Sequence, residues 1–300
     1  MTVAITPGHK GADAMMAALR GRSLWDDARR RLFRNKAAVA GMVLLAFLLA
    51  ASVIGPFLTP FKFDEVIKPD TWTGPGAGGH LLGADPLGRD LLARLLLGLG
   101  ISLSIGAVAT MVSLVIGVAW GATAGYIGGA VDEVMMRIVD VLYSLPFMFF
   151  VIILMVVFGR NFILLFIAIG AVEWLTLARI VRGQTLSLKE REFVEAARAA
   201  GLSRRQIIFR HIVPNLLGPV VVYVTLTIPG VIMAESFLSF LGLGVQPPIA
   251  SLGSLISAGA AYMERAPWLL IFPSLAMVAT LMSLNFIGDG LRDALDPKDR

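Results

Sequence analysis

With 300 residues, 57% of them hydrophobic and 16% charged, and a mean hydropathy of +0.79, the chain carries more apolar surface than a soluble domain can enclose and reads as a multi-span membrane protein. The absence of cysteine excludes a disulfide framework and thiolate chemistry, and His9, His80 and His211 are too scattered for a metal-ligand cluster. A net charge of +5 calls for no nucleic acid, since excess Lys and Arg on cytoplasmic loops is the ordinary bias of an inner-membrane protein.

Residues 1–36 are polar and end in Arg29, Arg30, Arg31, Arg34 and Lys36, ahead of an apolar run from Ala37 to about Leu58 that is long enough to cross a bilayer. A signal peptide is the competing reading. Its charged region would be unusually long and no secreted domain follows, so the run reads as an uncleaved first span with the N-terminus held in the cytoplasm. The rest, 37–300, reads as one six-span domain. Residues 59–92, rich in Gly, Pro and Asp, form an ordered outer loop. Gly74, Gly76 and Gly79 match G-x-G-x-x-G there, but a phosphate cradle needs a strand before it and a helix after it, and neither pattern is present.

A second span, from about Leu95 to Ala124, leads into a four-residue glycine repeat, Gly117, Gly121 and Gly125, which lets another helix approach closely. After a turn at Gly128 and Gly129 comes a third span, from about Val134 to Phe158, interrupted by Pro146. A turn at Arg160 and Asn161 and a fourth span, from about Phe162 to Ile180, follow. The fifth span, from about Leu216 to Leu241, contains Pro229 and Gly230, which predict a kink or local unwinding. Residues 242–266 form a second outer loop, and the sixth span, from about Pro267 to Ile287, precedes a polar cytoplasmic tail over 289–300. This topology places 20 of the 26 Lys and Arg inside, leaving outside only Lys62, Lys68, Arg89, Arg94, Arg160 and Arg265.

Between the fourth and fifth spans lies the cytoplasmic loop 183–215, and within it begins the longest charged run flanked by bilayer-length apolar segments, Glu190 to Pro219. Phe193, Ala196, Ala197 and Ala200 recur at helical spacing and predict one apolar face, with Glu195 and Arg198 pointing elsewhere. Gly201 ends that helix as a left-handed C′ residue. Ser203 and Gln206 then form a capping box for a second helix, with Leu202 and Ile207 as its hydrophobic staple, and Pro214 and Pro219 mark the return toward the membrane. A basic helix-turn-helix suits a DNA reader, but the membrane flanks argue against one, and the plainest alternative is a solvated basic loop at the lipid surface.

No Gly-Lys dipeptide, His-Glu-x-x-His or Gly-x-Ser-x-Gly occurs, so the chain carries no P-loop, zinc helix or nucleophile elbow. A pore that moves solute uphill then draws its energy either from an ion gradient sensed by buried carboxylates or from an ATPase gripping a cytoplasmic loop. Asp140, Glu173 and Glu235 lie in or near spans. Asp140 can pair with Arg137 one turn earlier and Glu235 can approach the outer interface, whereas Glu173, beside Trp174, either lines a polar path or pairs with another subunit.

Glu195-Ala196-Ala197, then Gly201, then Pro214 thirteen positions later, resembles the EAA coupling motif of permease subunits in binding-protein-dependent ABC importers; its usual Ile and Leu near the end are His211 and Val213 here. The resemblance extends to Ser23 through Arg31, Gly88-Arg89-Asp90, Arg179 through Leu188, Glu235 through Gly244 and Asp289 through Pro297. The chain is similar to the C-type permeases of oligopeptide importers, within a wider dipeptide, nickel and oligopeptide group whose shared coupling motif does not choose a substrate. The resemblance implies an all-α integral membrane protein of the type I ABC importer permease fold, multi-pass in the bacterial plasma (inner) membrane with both termini cytoplasmic. It implies a second permease subunit, two ATP-binding subunits that hold the nucleotide, so that this chain needs no cofactor, and an extracytoplasmic peptide-binding protein. Glu195, Ala196, Ala197, Arg198, Gly201, Ser203 and Pro214 would form the ATPase-coupling surface, and Glu173 and Glu235 are the candidates for a translocation path.

Overall fold

The computed structural model describes residues 24–159 and 162–295. The segment before Leu24, the turn expected at Arg160 and Asn161, and tail residues 296–300 lie outside them.

The first helix, α1 (Leu24–Arg34), is amphipathic, with Asp26 and Asp27 in its first turn and Arg31 and Arg34 in its last, the arrangement its dipole favours. Asn35 caps the next helix, α2 (Lys36–Leu58), by accepting the N–H groups of Ala37 and Ala38 at 3.0 and 3.2 Å. Helix α2 exposes Val43, Phe47, Val53 and Phe57, as a helix bordering lipid must. The loop between α2 and the next long helix is ordered by a 3-10 turn at Lys68–Asp70, by backbone bonds such as that from Ala84 N–H to the Thr73 carbonyl at 2.8 Å, and by side-chain bonds. His80, fully buried, bridges Asp90 at 2.8 Å and Asp70 at 3.3 Å and stacks on Phe61, while Asp90 also caps α3 (Leu91–Ile127) through the N–H of Ala93 at 2.7 Å.

Helix α3 has 37 residues, about 55 Å at 1.5 Å per residue, so it outreaches a hydrocarbon core of about 30 Å. The glycine stripe does what its spacing predicts. Gly117 faces Leu177, Gly121 lies on the carbonyl oxygen of Ala178 and Gly125 on that of Arg182, all on α6 (Phe162–Leu188), and any Cβ at Gly121 would overlap backbone. The α3–α6 interface is the most extensive between helices.

The third span is not one straight helix. Between α4 (Gly129–Ser144) and α5 (Phe147–Phe158) the chain bends by 85°. The cause is Pro146, which lacks an N–H and pushes Leu145 to an extended ψ of 132°. Beyond α6 come α7 (Glu192–Ala199), α8 (Arg204–Ile207), a π-turn at Ile208–Ile212, α9 (Val213–Phe240), α10 (Leu252–Ala260) and α11 (Trp268–Leu295). Helix α9 stays helical through Pro229 and Gly230, against the unwinding expected there; Pro229 is buried, and Val231 and Ile232 beside it belong to two apolar clusters that hold the segment in place. The tail, expected as a polar extension from Asp289, stays helical to Leu295 because Gly288 and Gly290 let α11 pack on Leu226 and Ala38.

Among the described residues, four helical runs are long and apolar enough to cross a membrane: α2, α3, the continuous Arg204–Phe240 and α11; the bent α4–α5 pair makes a fifth if it is one span. Helix α6 runs beside α3 and delivers the chain to the charged loop.

Candidate functional site: the capped helix pair

Helix α7 begins with Glu192 and Glu195 in its first turn, where carboxylates stabilise the N-terminal end, and carries Arg198 in its last. It ends in a complete Schellman motif. Gly201 sits at φ +78°, its N–H bonds to the carbonyl of Arg198 at 3.0 Å, and the N–H of Leu202 reaches back to Ala197 at 3.2 Å. The capping box follows at once: Gln206 N–H donates to Ser203 Oγ at 3.4 Å, and Ser203 N–H donates to the Gln206 side chain at 2.9 Å. Ile207 is buried and half-buried Leu202 packs against the same cluster, so both staple residues close on one core. Helix, left-handed turn and capped helix therefore stand as the sequence predicts.

The apolar face of α7 is split rather than single. Ala197 is 6% exposed and packs inward together with Val194, whereas Phe193, Ala196 and Ala200 are exposed. At roughly 100° per residue, Val194 and Ala197 share one side of the helix and the other three an adjoining side, so an apolar arc of roughly 160° is shared between two surfaces. The inner half joins Ala122 and Tyr126 of α3, Leu177 and Val181 of α6, and Ile207, Ile208, Ile212 and Leu216. The outer half, with exposed Glu195, faces away from the chain. Val194, which the motif spacing passes over, anchors the helix as a β-branched residue one position from the counted stripe.

Arg198 is turned to its own chain. Its Nε donates to Tyr126 Oη at 3.4 Å, its guanidinium lies 5.3 Å from the Tyr126 ring, and it reaches the carbonyl of Lys189 at 3.5 Å. Pro214 is exposed just after the π-turn, where Val213 N–H bonds five residues back to Ile208. A proline has no N–H and crowds the carbonyl four residues before it, and one widened turn accommodates both effects without ending the helix. The Asn215 side chain then bonds the carbonyl of His211 at 2.6 Å.

Two ion pairs join α4 to α6 beside this loop. Arg182 grips Asp132 with both forks at 2.6 Å, and Arg179 bonds Asp140 at 2.8 Å while lying over the Tyr143 ring. Asp140 therefore pairs across helices rather than with Arg137 on its own helix, through an Arg179 guanidinium that the Tyr143 ring also holds in place. The sequence carries both residues of each pair but no periodic signal links positions so far apart.

The two candidates for a polar path are not brought together. Glu173 is half-buried on α6 beside Trp174, which packs on Trp120. Glu235 is fully buried and hydrogen-bonded by serines at the opposite end of the bundle from α7, so it faces no open space in this state.

Residues 117–300 match the family model for the binding-protein-dependent transport system inner membrane component, and residues 23–73 match that for the N-terminal TM domain of oligopeptide transport permease C. The oligopeptide transport system permease protein OppC of Haemophilus influenzae is 56% identical over 283 residues, covering 94% of this chain and 91% of that one. The dipeptide transport system permease protein DppC of Bacillus subtilis is 44% identical over 279 residues, covering 93% and 87%. Among solved structures, an inward facing conformation of the MetNI methionine ABC transporter superposes with a TM-score of 0.55 at 20% identity, over 68% of this chain and 96% of that one, and so shares the fold.

Proposed function

The chain belongs to the family of binding-protein-dependent transport system inner membrane components, and from that membership we propose that it forms half of the pore of an ABC importer for oligopeptides, with α7 as the helix that engages a partner ATPase. The observation that carries the reading is the split face of α7. One side is locked into the chain's own core by Val194 and Ala197, and the other presents Phe193, Glu195, Ala196 and Ala200 outward, ahead of the Schellman turn that ends α7 and the capping box that opens α8. A solvated basic loop needs neither the Schellman turn nor the capping box. A helix that must transmit force needs both, since moving a gate from about 1:99 to 99:1 takes roughly 5.5 kcal/mol of differential binding, which a loose segment cannot carry.

In this reading two ATP-binding subunits dock from the cytoplasm and hydrolyse ATP, a second permease completes the pore, and an extracytoplasmic binding protein delivers the peptide. The N-terminus and tail lie on the cytoplasmic side, α6 contributes a sixth span, and Glu173 lines a polar surface in the assembled complex. Oligopeptides are favoured over dipeptides by the 56% identity to the oligopeptide permease of Haemophilus influenzae, against 44% to the dipeptide permease, and by the match at residues 23–73.

The test is reconstitution in vesicles. Uptake of a labelled oligopeptide should require the partner permease, the ATP-binding subunits with internal ATP, and the binding protein outside. Uptake by this chain alone under a proton or sodium gradient would make it a secondary carrier and end the reading, and saturation by a dipeptide or nickel chelate in place of longer peptides would move the substrate.

A further inference from the structure

The run Glu235-Ser-Phe-Leu-Ser-Phe-Leu-Gly-Leu-Gly244 takes no part in the ATPase contact, yet its geometry is specific. Glu235 is 0% exposed. Its carboxylate receives hydroxyl groups from three places: Ser239 one turn on at 2.6 Å, Ser251 just before α10 at 2.7 Å, and Ser102 on α3 at 3.4 Å. Ser102 in turn accepts the N–H of Leu252 at 3.1 Å, and Ser251 is the N-cap of α10, boxed with Ser254. The N-terminus of α10, the positive end of its dipole, therefore meets the carboxylate through two hydroxyl groups. Among the described residues no Lys, Arg or His pairs with Glu235.

The rest of the run brings α10 to this place. At the end of α9, Gly242 adopts φ +74°, and the N–H groups of Gly242 and Leu243 bond to the carbonyls of Ser239 and Leu238. Gly244 then lies so close to Ser239, and Gly253 to Ser236, that a Cβ at either glycine would overlap the serine. Gln246 closes the turn on the carbonyls of Gly242 and Gly244.

We propose that Glu235 is a positioning residue of the pore's outer rim: it pins α10 and the segment before it to α3 and α9, so that the rim moves with the pore helices during transport. The inference rests on the transport reading above. Apolar packing is non-directional and lets one helix slide on another, whereas a buried carboxyl bonded by hydroxyl groups from α3, α9 and the segment before α10 fixes their register, because any slip would leave buried polar groups unpaired.

The chain has no native cysteine, so Leu252→Cys, a fully buried position beside the pin, supplies a single reporter thiol. It is introduced into the full complex, without ATP, and treated from outside with an impermeant maleimide. Labelling of the Leu252→Cys thiol should rise about tenfold or more on adding Glu235→Leu and stay within about twofold on adding Glu235→Gln; Ser239→Ala and Ser251→Ala should each give an intermediate rise, about tenfold being the equilibrium equivalent of the upper end for one lost hydrogen bond. Peptide taken up per ATP hydrolysed should fall in the same order while the ATP-binding subunits still co-purify. Equal labelling in all variants overturns the pin, as does wild-type coupling in Glu235→Leu. If Glu235→Leu does not assemble, the two serine variants decide the matter by the same labelling order. A parent complex that performs no ATP-driven uptake would instead sink the transport reading, because labelling reports the pin with or without transport.

Discussion

Gly201→Val isolates backbone conformation from packing at the turn between α7 and α8. Gly201 sits at φ +78° and a Cβ built there meets no atom within 4 Å beyond its chain neighbours, so the space beside the turn is open to a side chain. What it resists is the left-handed conformation, at about 1–3 kcal/mol for a non-glycine residue, a β-branched one falling at the upper end. The chain can yield by unwinding the last turn of α7, which breaks the bonds from Gly201 to Arg198 and from Leu202 to Ala197. Either outcome is too small to dismantle the packed helices but is a sizeable part of the roughly 5.5 kcal/mol that throws a gate. The assay is peptide-stimulated ATP hydrolysis measured beside uptake in the reconstituted complex. Gly201→Val should assemble normally and couple poorly, Gly201→Ala should be intermediate, and Gly201→Asn, which tolerates the left-handed region, should be close to wild type. Indistinguishable coupling in the valine and asparagine variants would refute the reasoning, since steric space at the site is the same for both.

Adjacent alanines should separate the two faces of α7. Ala196→Asp places a charge on the outward face and should reduce co-purification of the ATP-binding subunits while leaving the permease folded; Ala197→Asp buries an unpaired carboxylate and should destabilise the loop itself, read as increased protease cleavage near Lys189 in the permease alone. For topology, an impermeant thiol reagent applied to intact cells should label Thr71→Cys and spare Ser187→Cys and Ser203→Cys; the opposite pattern would reverse the orientation. Glu173→Leu should lower uptake or assembly and Glu173→Gln should do less, since Gln keeps hydrogen-bonding capacity without charge; equal and undiminished transport in both would remove Glu173 from the pore.

What was legible in the sequence follows from how local each signal is. The Gly201 turn, the Ser203–Gln206 box and the Leu202–Ile207 staple depend on residues a few positions apart, and all three appear as read. The glycine stripe was equally plain, because close helix approach needs small residues every fourth position and little else. Pairings across helices left no periodic trace: Asp132 with Arg182, Asp140 with Arg179 and Tyr126 with Arg198 are fixed by how α3, α4, α6 and α7 pack. The interruption expected at Pro146 is present, but proline acts differently at other sites. Pro146 breaks the third span because the residue before it turns extended, Pro229 breaks nothing because buried neighbours hold its helix, and Pro214 is absorbed by a π-turn that no residue pattern announced. The serine cage of Glu235 was hidden for the same reason, its donors lying 133, 16 and 4 positions away.

Both ends of the mechanism meet on one helix. Near its C-terminal end α3 supplies Ala122 and Tyr126 to the core that holds Val194, Ala197 and Ile207, and Tyr126 is gripped by Arg198. Near its N-terminal end the same helix supplies Gly98, against the backbone at Ser251, and Ser102, bonded to Glu235 and to the first N–H of α10. No proline interrupts the 37 residues between the Asp90 cap and Gly128, and an α-helix resists bending and compression because every turn is closed by hydrogen bonds. Along its C-terminal half the glycine stripe locks it to α6, the helix that leads into α7. If α7 moves as proposed, the close backbone contacts between α3 and α6 would pass that displacement along α3 to Ser102. A carboxylate pinned by hydroxyl groups at that point holds the rim to whichever helix moves, and a Leu in its place would leave α10 to follow by packing alone.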